Sequence, residues 1–360
     1  MYLDYGSRVI TGATVLVFSS FLTAFGQPPQ QMLQQRPIPM GVSIGNVAGA
    51  PVAYAGTAGM LVHSLANPNL KLILSNNHVL GARGVNLCPN SALPGQTYTV
   101  QPGTLDILLQ GITNPVVAGV VAGFFPLSAG GNLIDAALSS TDLTLSKSDI
   151  LQIGVPTAAL GIATPGMPVT KGGRTTGVTT GIVDSVNATV QVSYGAACPT
   201  YLFFGQTIIG PAAFSGAGDS GSAILESASK TPVGLLFAGN STMTVANQIY
   251  WVYALLNVFA EGSATVATPS SVEQLTLSQR ALEAGMDPRV AQVTQVQARN
   301  QTQLLAIPGI HAIGVGRDGS DMVIKVYGAK LTDAIARALP QQLEGVRVVF
   351  RESGGPFTAR

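Results

Sequence analysis

The chain has 360 residues, of which 46% are hydrophobic and 10% are charged, and its formal net charge is +1. This balance allows a large buried core and argues against a disordered chain. It also gives no electrostatic footprint for nucleic acid, so we expect no nucleic-acid partner. The 42 glycines and 22 prolines favour many turns, which is typical of a mostly β protein.

Residues 1–26 have the pattern of an export signal. Arg8 supplies a basic start, Val9–Phe25 is apolar, and Ala24 and Gly26 are small residues suited to a cleavage site. The apolar stretch is shorter than the about 20 residues of a membrane-spanning helix, so we expect cleavage; an N-terminal strand or a membrane anchor is the alternative. If the signal is real the protein is exported, to the periplasm or outside the cell, and otherwise it is cytoplasmic. Residues 27–39 are rich in Gln and Pro and predict a linker.

Short apolar runs separated by Gly, Pro and Asn predict one β unit over residues 40–147 and a second over residues 148–265. The strands predicted in the first unit are Val52–Val62, Lys71–Leu74, Thr97–Gln101, Asp106–Leu109, Val116–Phe125 and Leu133–Ser139. Those predicted in the second are Pro168–Lys171, Thr180–Val186, Ala188–Tyr194, Leu202–Ile209, Ala223–Leu225 and Val233–Phe237, with a hairpin turn at Asn187. The stretch Asn247–Phe259 is expected to end this unit as a strand followed by a helix.

Residues 266–360 change in character and predict a small α+β domain. A helix is expected to start with Ser270 or Ser271 as its N-cap and to break at Asp287-Pro288. A hairpin around Asp318-Gly319 follows, then a helix over Leu331–Leu339 and a strand over Val346–Phe350. The order of elements is therefore α-β-β-α-β.

A serine in a small-residue loop is the first candidate for chemistry. The stretch Phe214–Leu225 places Ser220 inside Gly-Asp-Ser-Gly, directly before an apolar segment. Glycines let the backbone turn sharply and bring its N–H groups close to a substrate carbonyl. The same residue types also form ordinary turns, so the motif needs partners elsewhere in the chain.

A serine nucleophile needs a base, which is most often histidine, and a carboxylate that orients the base. The chain has three histidines, His63, His78 and His311, and His78 follows an apolar strand at a polar turn. His311 is expected to be an ordinary residue at the end of a strand. Asp135 stands alone among small apolar residues, where an acid is costly unless it is paired. Asp106 is its competitor for the orienting role.

The chain order His78, Asp135, Ser220 resembles the chymotrypsin-like serine peptidases, and the bacterial trypsin-like branch in particular. The resemblance covers about residues 40–260 and is carried by five motifs: Ser75-Asn-Asn-His78, Ile134-Asp-Ala-Ala-Leu138, Gly173-Arg-Thr-Thr-Gly177, Gly218-Asp-Ser-Gly-Ser222 and Pro232–Gly239. It implies a chymotrypsin-like double β-barrel, with His78 and Asp135 on the first barrel, Ser220 on the second, and the α+β domain after them. It also implies an endopeptidase that acts on polypeptides through an acyl-enzyme, without cofactor or metal. The sequence departs from the family at Asn76-Asn77-His78-Val79, which lacks the disulfide beside the histidine, and it has no Ile-Val-Gly-Gly-type mature N-terminus.

The resemblance also assigns roles around the triad. The backbone N–H groups of Gly218 and Ser220 would form the oxyanion hole. Arg174 would form an ion pair with Asp219 that holds the oxyanion loop in shape.

The substrate pocket implied by the resemblance is lined by five residues. They are Phe214, Ser215, Phe237, Ala238 and Gly239. No acid stands at the base of this pocket, which is the position of Phe214. We therefore expect a neutral residue before the scissile bond, not Lys or Arg, with Phe237 narrowing the pocket.

Several alternatives stay open at this point. Cys88 and Cys198 could form a disulfide if the chain is exported, or remain two buried thiols. A catalytically silent or autoinhibited binding protein is the alternative function, with the C-terminal domain as a partner module or in contact with the peptidase barrels. An esterase on another fold is disfavoured, because Ser222 breaks the Gly-x-Ser-x-Gly elbow and the order is not Ser, Asp, His.

Overall fold

The computed structural model describes residues 27–47, 53–82, 88–263 and 287–360, and most of its strands form two large curled sheets. The predicted signal over residues 1–26 and the helix start at Ser270 or Ser271 lie outside the described residues. The predicted fold class, a mostly β double barrel followed by a small α+β unit, is confirmed.

The first barrel is a sheet of eight strands in the part of the chain that the structure describes, in the order β16-β4-β5-β8-β7-β6-β2-β3. Its strands are β2 (Ser43–Asn46), β3 (Gly56–Thr57), β4 (Met60–Ser64), β5 (Lys71–Ser75), β6 (Tyr98–Gln101), β7 (Val116–Phe124), β8 (Ala137–Thr141) and β16 (Val258–Ala260). A separate parallel pair joins β1 (Ile38–Met40) to β9 (Ser146–Ile150). The side chains of β4 and β5 that face inward are buried in one apolar cluster, which forms the core of this barrel.

The second barrel and the C-terminal unit share one sheet of eleven described strands. The barrel strands are β10 (Pro168–Gly173), β11 (Gly177–Ser193), β12 (Thr200–Gly210), β13 (Ala223–Glu226), β14 (Pro232–Gly239) and β15 (Thr244–Gln248). The C-terminal strands are β17 (Ile310–Asp318), β18 (Asp321–Gly328), β19 (Gln342–Leu343), β20 (Val346–Glu352) and β21 (Phe357–Ala359). The helices of the described residues are α1 (Thr104–Gln110), α2 (Ile249–Leu256), α3 (Pro288–Leu305) and α4 (Asp333–Ala338). The described residues contain no helix that is both long and apolar enough to cross a bilayer.

The join between barrel and C-terminal unit is made by β11, which pairs antiparallel with β17. Asp184 on β11 adds side-chain contacts: its Oδ1 lies 2.7 Å from Lys325 Nζ, and its Oδ2 accepts a hydrogen bond from Tyr327 OH at 2.6 Å. Burial, reinforced by the neighbouring carboxylate, raises the pKa of Tyr327 well above its ordinary value. The phenol is therefore a permanent donor to Asp184, and the unit is attached by backbone and side chains together.

The predicted strand Asp106–Leu109 is wrong, because this segment forms helix α1. Gly103 precedes the helix in an extended conformation, and Gly111 ends it with φ +64° and a backbone N–H that reaches back to Ile107 and Leu108. A run of apolar residues this short fits a helix or a strand equally well, and the flanking glycines decide for the helix.

The predicted hairpin at Asn187 is also wrong, because β11 runs through this position as one strand. Asn187 has φ +51°, and the pairing of β11 shifts register on both sides of it, as at a β-bulge. Helix α3 holds the bulge, since Asn187 donates to Thr294 Oγ1 at 3.0 Å and accepts from Gln297 Nε2 at 2.9 Å.

Residues 27–39 are packed against the barrels and do not behave as the flexible linker that composition suggested. Gln30 is fully buried and its Nε2 donates to Gln152 Oε1 at 2.9 Å. Gln101 Nε2 donates to the carbonyl of Met32 at 2.8 Å, and Ile38 is buried in β1. The glutamines that suggested a solvated segment instead supply the hydrogen bonds that fix it.

Candidate active site

Three short segments at strand ends carry the predicted triad. His78 lies in a π-helical turn, Asn77–Gly81, that begins two residues after β5. Asp135 lies two residues before β8, and Ser220 lies in the loop before β13. Because β5 pairs with β8, the histidine and the aspartate come to the same end of the first barrel.

His78 and Asp135 are joined by a short hydrogen bond. His78 Nδ1 lies 2.6 Å from Asp135 Oδ2, and the aspartate is fully buried. The backbone N–H groups of Asn77 and His78 donate to Asp135 Oδ1 at 2.7 and 3.2 Å. Donors thus surround the carboxylate, which fixes the imidazole with Nδ1 as the donor.

Tyr194 is a site residue that sequence reasoning missed. Its hydroxyl donates to Asp135 Oδ2 at 2.7 Å, and its ring meets that of His78 edge-on at 5.6 Å. Burial, and then the charge of Asp135, raise the pKa of Tyr194 well above its ordinary value, so the phenol stays a donor. No signal in the sequence could have found it, since it is 59 positions from Asp135 and sits at the end of an ordinary strand.

Ser220 does not bond to His78 in this structure. Its Oγ donates to the carbonyl of Phe237 at 3.2 Å, while His78 Nε2 lies 3.4 Å from the carbonyl oxygen of Arg360. Ser220 is fully buried, and the backbone N–H of Arg360 donates to the same Phe237 carbonyl at 3.1 Å. His78 Nε2 therefore faces the C-terminal unit at Arg360, while Ser220 Oγ faces the Phe237 carbonyl.

The loop around Ser220 is fixed by the first barrel. Thr57 Oγ1 donates to the Gly218 carbonyl at 3.0 Å, and Thr57 N donates to the Ser220 carbonyl at 2.7 Å. Gly218 and Gly221 have φ +98° and +94°, and a Cβ on Gly221 would lie 2.3 Å from Ser75 Oγ, so glycine is required there. Within the described residues the N–H groups of Gly218 and Ser220 donate no hydrogen bond.

The expected ion pair between Arg174 and Asp219 is wrong, because Lys171 takes this role. Lys171 Nζ lies 3.2 Å from Asp219 Oδ2, and both side chains are fully buried. The carboxylate also accepts from the N–H groups of Thr175, Thr176 and Gly216 at 2.7, 3.1 and 2.8 Å. Burial lowers the pKa of Lys171, and the charge of Asp219 opposes this shift.

Arg174 binds Asp106 instead. Its Nε and Nη2 donate to the two carboxylate oxygens at 2.8 and 2.5 Å, a fork that fits a carboxylate well. Asp106 also accepts from Ser43 Oγ at 2.5 Å, so the pair ties the second barrel to the first. Asp106, the competitor for the orienting role, is thus engaged away from His78. Lys171 rather than Arg174 pairs with Asp219 because of where each residue lies. Lys171 is inside β10 and faces the buried loop, whereas Arg174 follows the strand and faces the first barrel.

The five residues of the predicted pocket have different surroundings in the structure. The side chains of Phe214 and Phe237 are fully buried in two different core clusters, and Phe237 packs on Phe203 with ring centroids 4.7 Å apart. Ser215 Oγ lies 2.5 Å from Thr244 Oγ1. Ala238 and Gly239 pair with β21. Phe237 thus meets the cleft through its backbone carbonyl.

The remaining candidates of the sequence lie away from this site. His63 lies on β4, and its Nδ1 is 2.8 Å from Glu261 Oε1. Burial lowers the pKa values of His63 and His311. Cys88 and Cys198 form a disulfide with Cα atoms 5.6 Å apart. Among the described residues, no group of His, Cys, Asp and Glu side chains is placed to hold a metal ion.

No protein-family model matches the chain, and no curated protein matches it in sequence. Several solved structures are similar to it at low identity. A glutamic acid specific serine protease is 17% identical, with 62% of this chain and 100% of that chain covered and a TM-score of 0.40. Thermobifida fusca protease A is 17% identical, with 63% and 99% covered and a TM-score of 0.42. Nocardiopsis protease is 16% identical, with 62% and 98% covered and a TM-score of 0.42.

Proposed function

We propose that the protein is a serine endopeptidase of the chymotrypsin-like class. The observation that carries this proposal is the 2.6 Å hydrogen bond between His78 Nδ1 and Asp135 Oδ2, beside a glycine-bounded loop that presents Ser220. A buried carboxylate that orients an imidazole next to a serine is the arrangement that nucleophilic acyl transfer requires.

The reaction needs one rearrangement of the site. Once the Arg360 segment leaves, Ser220 Oγ turns from the Phe237 carbonyl toward His78 Nε2. His78 then takes the hydroxyl proton as Oγ bonds to the substrate carbonyl carbon, and the resulting oxyanion is held by the N–H groups of Gly218 and Ser220. His78 returns the proton to the leaving amine, and water hydrolyses the acyl-enzyme by the same steps.

The alternative is a catalytically silent protein that uses this cleft only for binding. The observation that favours it is the missing hydrogen bond between Ser220 and His78, with Arg360 in the position where a base would meet its serine. A covalent probe separates the two functions, because only an activated serine reacts with a fluorophosphonate.

We expect prolonged incubation with a fluorophosphonate to attach one adduct, mapped to Ser220 by peptide mass spectrometry. The Ser220→Ala variant should take none. Ser222→Ala is the matched control, since this buried serine two positions away only donates to the Asp219 carbonyl at 2.6 Å, and it should still label at Ser220. A folded wild-type protein without adduct would favour the binding protein.

Tyr194→Phe should lower kcat/KM about ten- to hundredfold, because it removes one hydrogen bond to a buried carboxylate. Such a bond is worth roughly 1.5–3 kcal/mol, and each 1.36 kcal/mol is a factor of ten. A pH profile of kcat/KM distinguishes positioning from packing, because the profile should change in Tyr194→Phe only if Tyr194 acts on the triad. The ring-preserving change keeps the contacts with Tyr201 and Phe203, so an unchanged profile would make Tyr194 structural.

We also propose that the protein is exported. The Cys88–Cys198 disulfide supports this, because such bonds persist in oxidising compartments. Detection of the protein outside the cytoplasm, with Edman sequencing of its N-terminus, tests the proposal; a purely cytoplasmic protein would overturn it.

A further inference from the structure

The last strand of the chain lies in the proposed cleft in the manner of a substrate. β21 pairs antiparallel with β14, with Ala359 opposite Ala238 and Thr358 opposite Gly239. The ladder continues into Arg360, whose N–H donates to the Phe237 carbonyl. An extended peptide that adds a strand to a sheet edge gains affinity from such backbone hydrogen bonds.

The register places Arg360 at the reacting groups. Its carbonyl oxygen is 3.4 Å from His78 Nε2, and its N–H shares the Phe237 carbonyl with Ser220 Oγ. Arg360 is therefore the residue of this strand that lies nearest to the reacting groups, and Ala359, Thr358 and Phe357 precede it in the cleft.

The Arg360 side chain lies along Gly239. A Cβ on Gly239 would be 2.6 Å from Arg360 Nε and 3.1 Å from its Nη2, so glycine is needed to admit the side chain. Nη2 donates to the carbonyl of Asn240. The charge of Asp219 acts on the same guanidinium and partly offsets the lowering of the pKa of Arg360 that burial causes.

Phe357 anchors the other end of the segment. It is fully buried in a hydrophobic cluster whose other aromatic members include Phe203, Phe237 and Tyr327. The barrel and the C-terminal hairpin both contribute to this pocket. Two further hydrogen bonds fix the residues that precede β21. Asn240 Nδ2 donates to the Gly355 carbonyl at 2.7 Å, and the Ser353 N–H donates to the Gly328 carbonyl at 2.9 Å.

We propose that the cleft selects extended peptides with arginine before the scissile bond and an aromatic residue three positions earlier, and that residues 357–360 fill it as an intramolecular competitive inhibitor. This inference rests on the proposed peptidase function. It replaces the neutral preference expected from the sequence, which followed from the missing acid at Phe214; here the guanidinium donates to the Asn240 carbonyl and is attracted by the charge of Asp219.

The hydrogen bonding of residues 357–360 in the cleft is incomplete, and this favours their release. Arg360 Nε is buried without a hydrogen-bond partner among the described residues, and an unpaired buried donor costs free energy. The tail competes through its high local concentration, because it is tethered to the site.

The test compares full-length variants by their rate of fluorophosphonate labelling at Ser220. Arg360→Glu removes the donors to Asn240 and brings a negative charge near Asp219. Phe357→Asp removes the aromatic anchor. If Phe357→Asp fails to fold, Arg360→Glu alone carries the test. Both should label at least tenfold faster than wild type. Arg337→Glu, the same change at an exposed residue of α4, should label like wild type. If the wild type labels as fast as the variants, residues 357–360 are not an inhibitor, and the proposed peptidase function is unaffected. If no folded variant labels, the proposed function itself is overturned.

A binding measurement that needs no catalysis tests the selectivity. Fluorescein-labelled Phe-Thr-Ala-Arg should bind saturably to the Ser220→Ala, Arg360→Glu variant by fluorescence anisotropy. Fluorescein-labelled Phe-Thr-Ala-Glu and Asp-Thr-Ala-Arg should bind at least tenfold more weakly. Equal binding of all three peptides, or none, would overturn the proposed selectivity even if labelling succeeds.

Discussion

Replacing Asp135 by Asn should lower kcat about 10⁴-fold, the loss seen when the orienting aspartate of such a triad becomes an amide. The carboxylate accepts hydrogen bonds from His78 Nδ1, Tyr194 OH and the N–H of Asn77. An amide must turn its own N–H groups toward some of these donors. If it faces His78, it favours the tautomer with the proton on Nε2, which cannot accept the serine proton. Hydrolysis of acetyl-Phe-Thr-Ala-Arg-aminomethylcoumarin, followed in the Arg360→Glu background, measures the loss.

Asp142→Asn is the matched control for this experiment. Asp142 accepts hydrogen bonds only from its own turn, from Thr144 and Leu145, so the same loss of charge there should leave kcat within twofold. Thermal unfolding of both variants checks that Asp135→Asn remains folded. A fall in kcat of less than tenfold would remove Asp135 from the triad.

Replacing Lys171 by Met should destabilise the protein by about 3–5 kcal/mol, because it leaves the buried Asp219 carboxylate without its counter-charge. Methionine has a similar volume to the lysine stem, so packing changes little. Urea unfolding followed by fluorescence gives the change in the free energy of unfolding. The double variant Lys171→Met, Asp219→Asn should recover much of the loss, since neither charge then stays buried alone.

A second double-mutant cycle tests which basic residue, Lys171 or Arg174, is paired with Asp219. Arg174→Met also removes a buried ion pair, but its partner is Asp106. In a double-mutant cycle with Asp219→Asn, Arg174→Met should give a smaller interaction energy than Lys171→Met gives in the same cycle. A stronger coupling of Asp219 to Arg174 than to Lys171 would restore the pairing that the sequence suggested.

The local features of the site could be predicted from sequence, because they depend on short motifs. A glycine-bounded serine, a histidine after a strand and an isolated acid each carry a recognisable chemical requirement, and His78 and Asp135 do lie together. The arrangement of β17, β18 and the two following elements could also be predicted, since Asp318-Gly319 marks its turn.

Choices between chemically equivalent groups could not be predicted. Lys171 and Arg174 are three residues apart, and only their places, Lys171 inside β10 and Arg174 just after it, assign one to Asp219 and the other to Asp106. Tyr194 reaches Asp135 through the course of β11 over the bulge at Asn187, which composition does not reveal. The place of residues 357–360 depends on pairing with β14, more than a hundred positions away, and no local pattern encodes such a partner.

The long strand β11 gives the C-terminal unit a second consequence. Its residues 185–190 pair with β17, and Val192 and Ser193 pair with β21. Without these partners, β11 would present a row of open backbone donors and acceptors flanked by valines, the kind of edge on which chains associate. The C-terminal unit therefore covers this edge of β11, and we expect that release of residues 357–360 alone would leave β17 covering most of it.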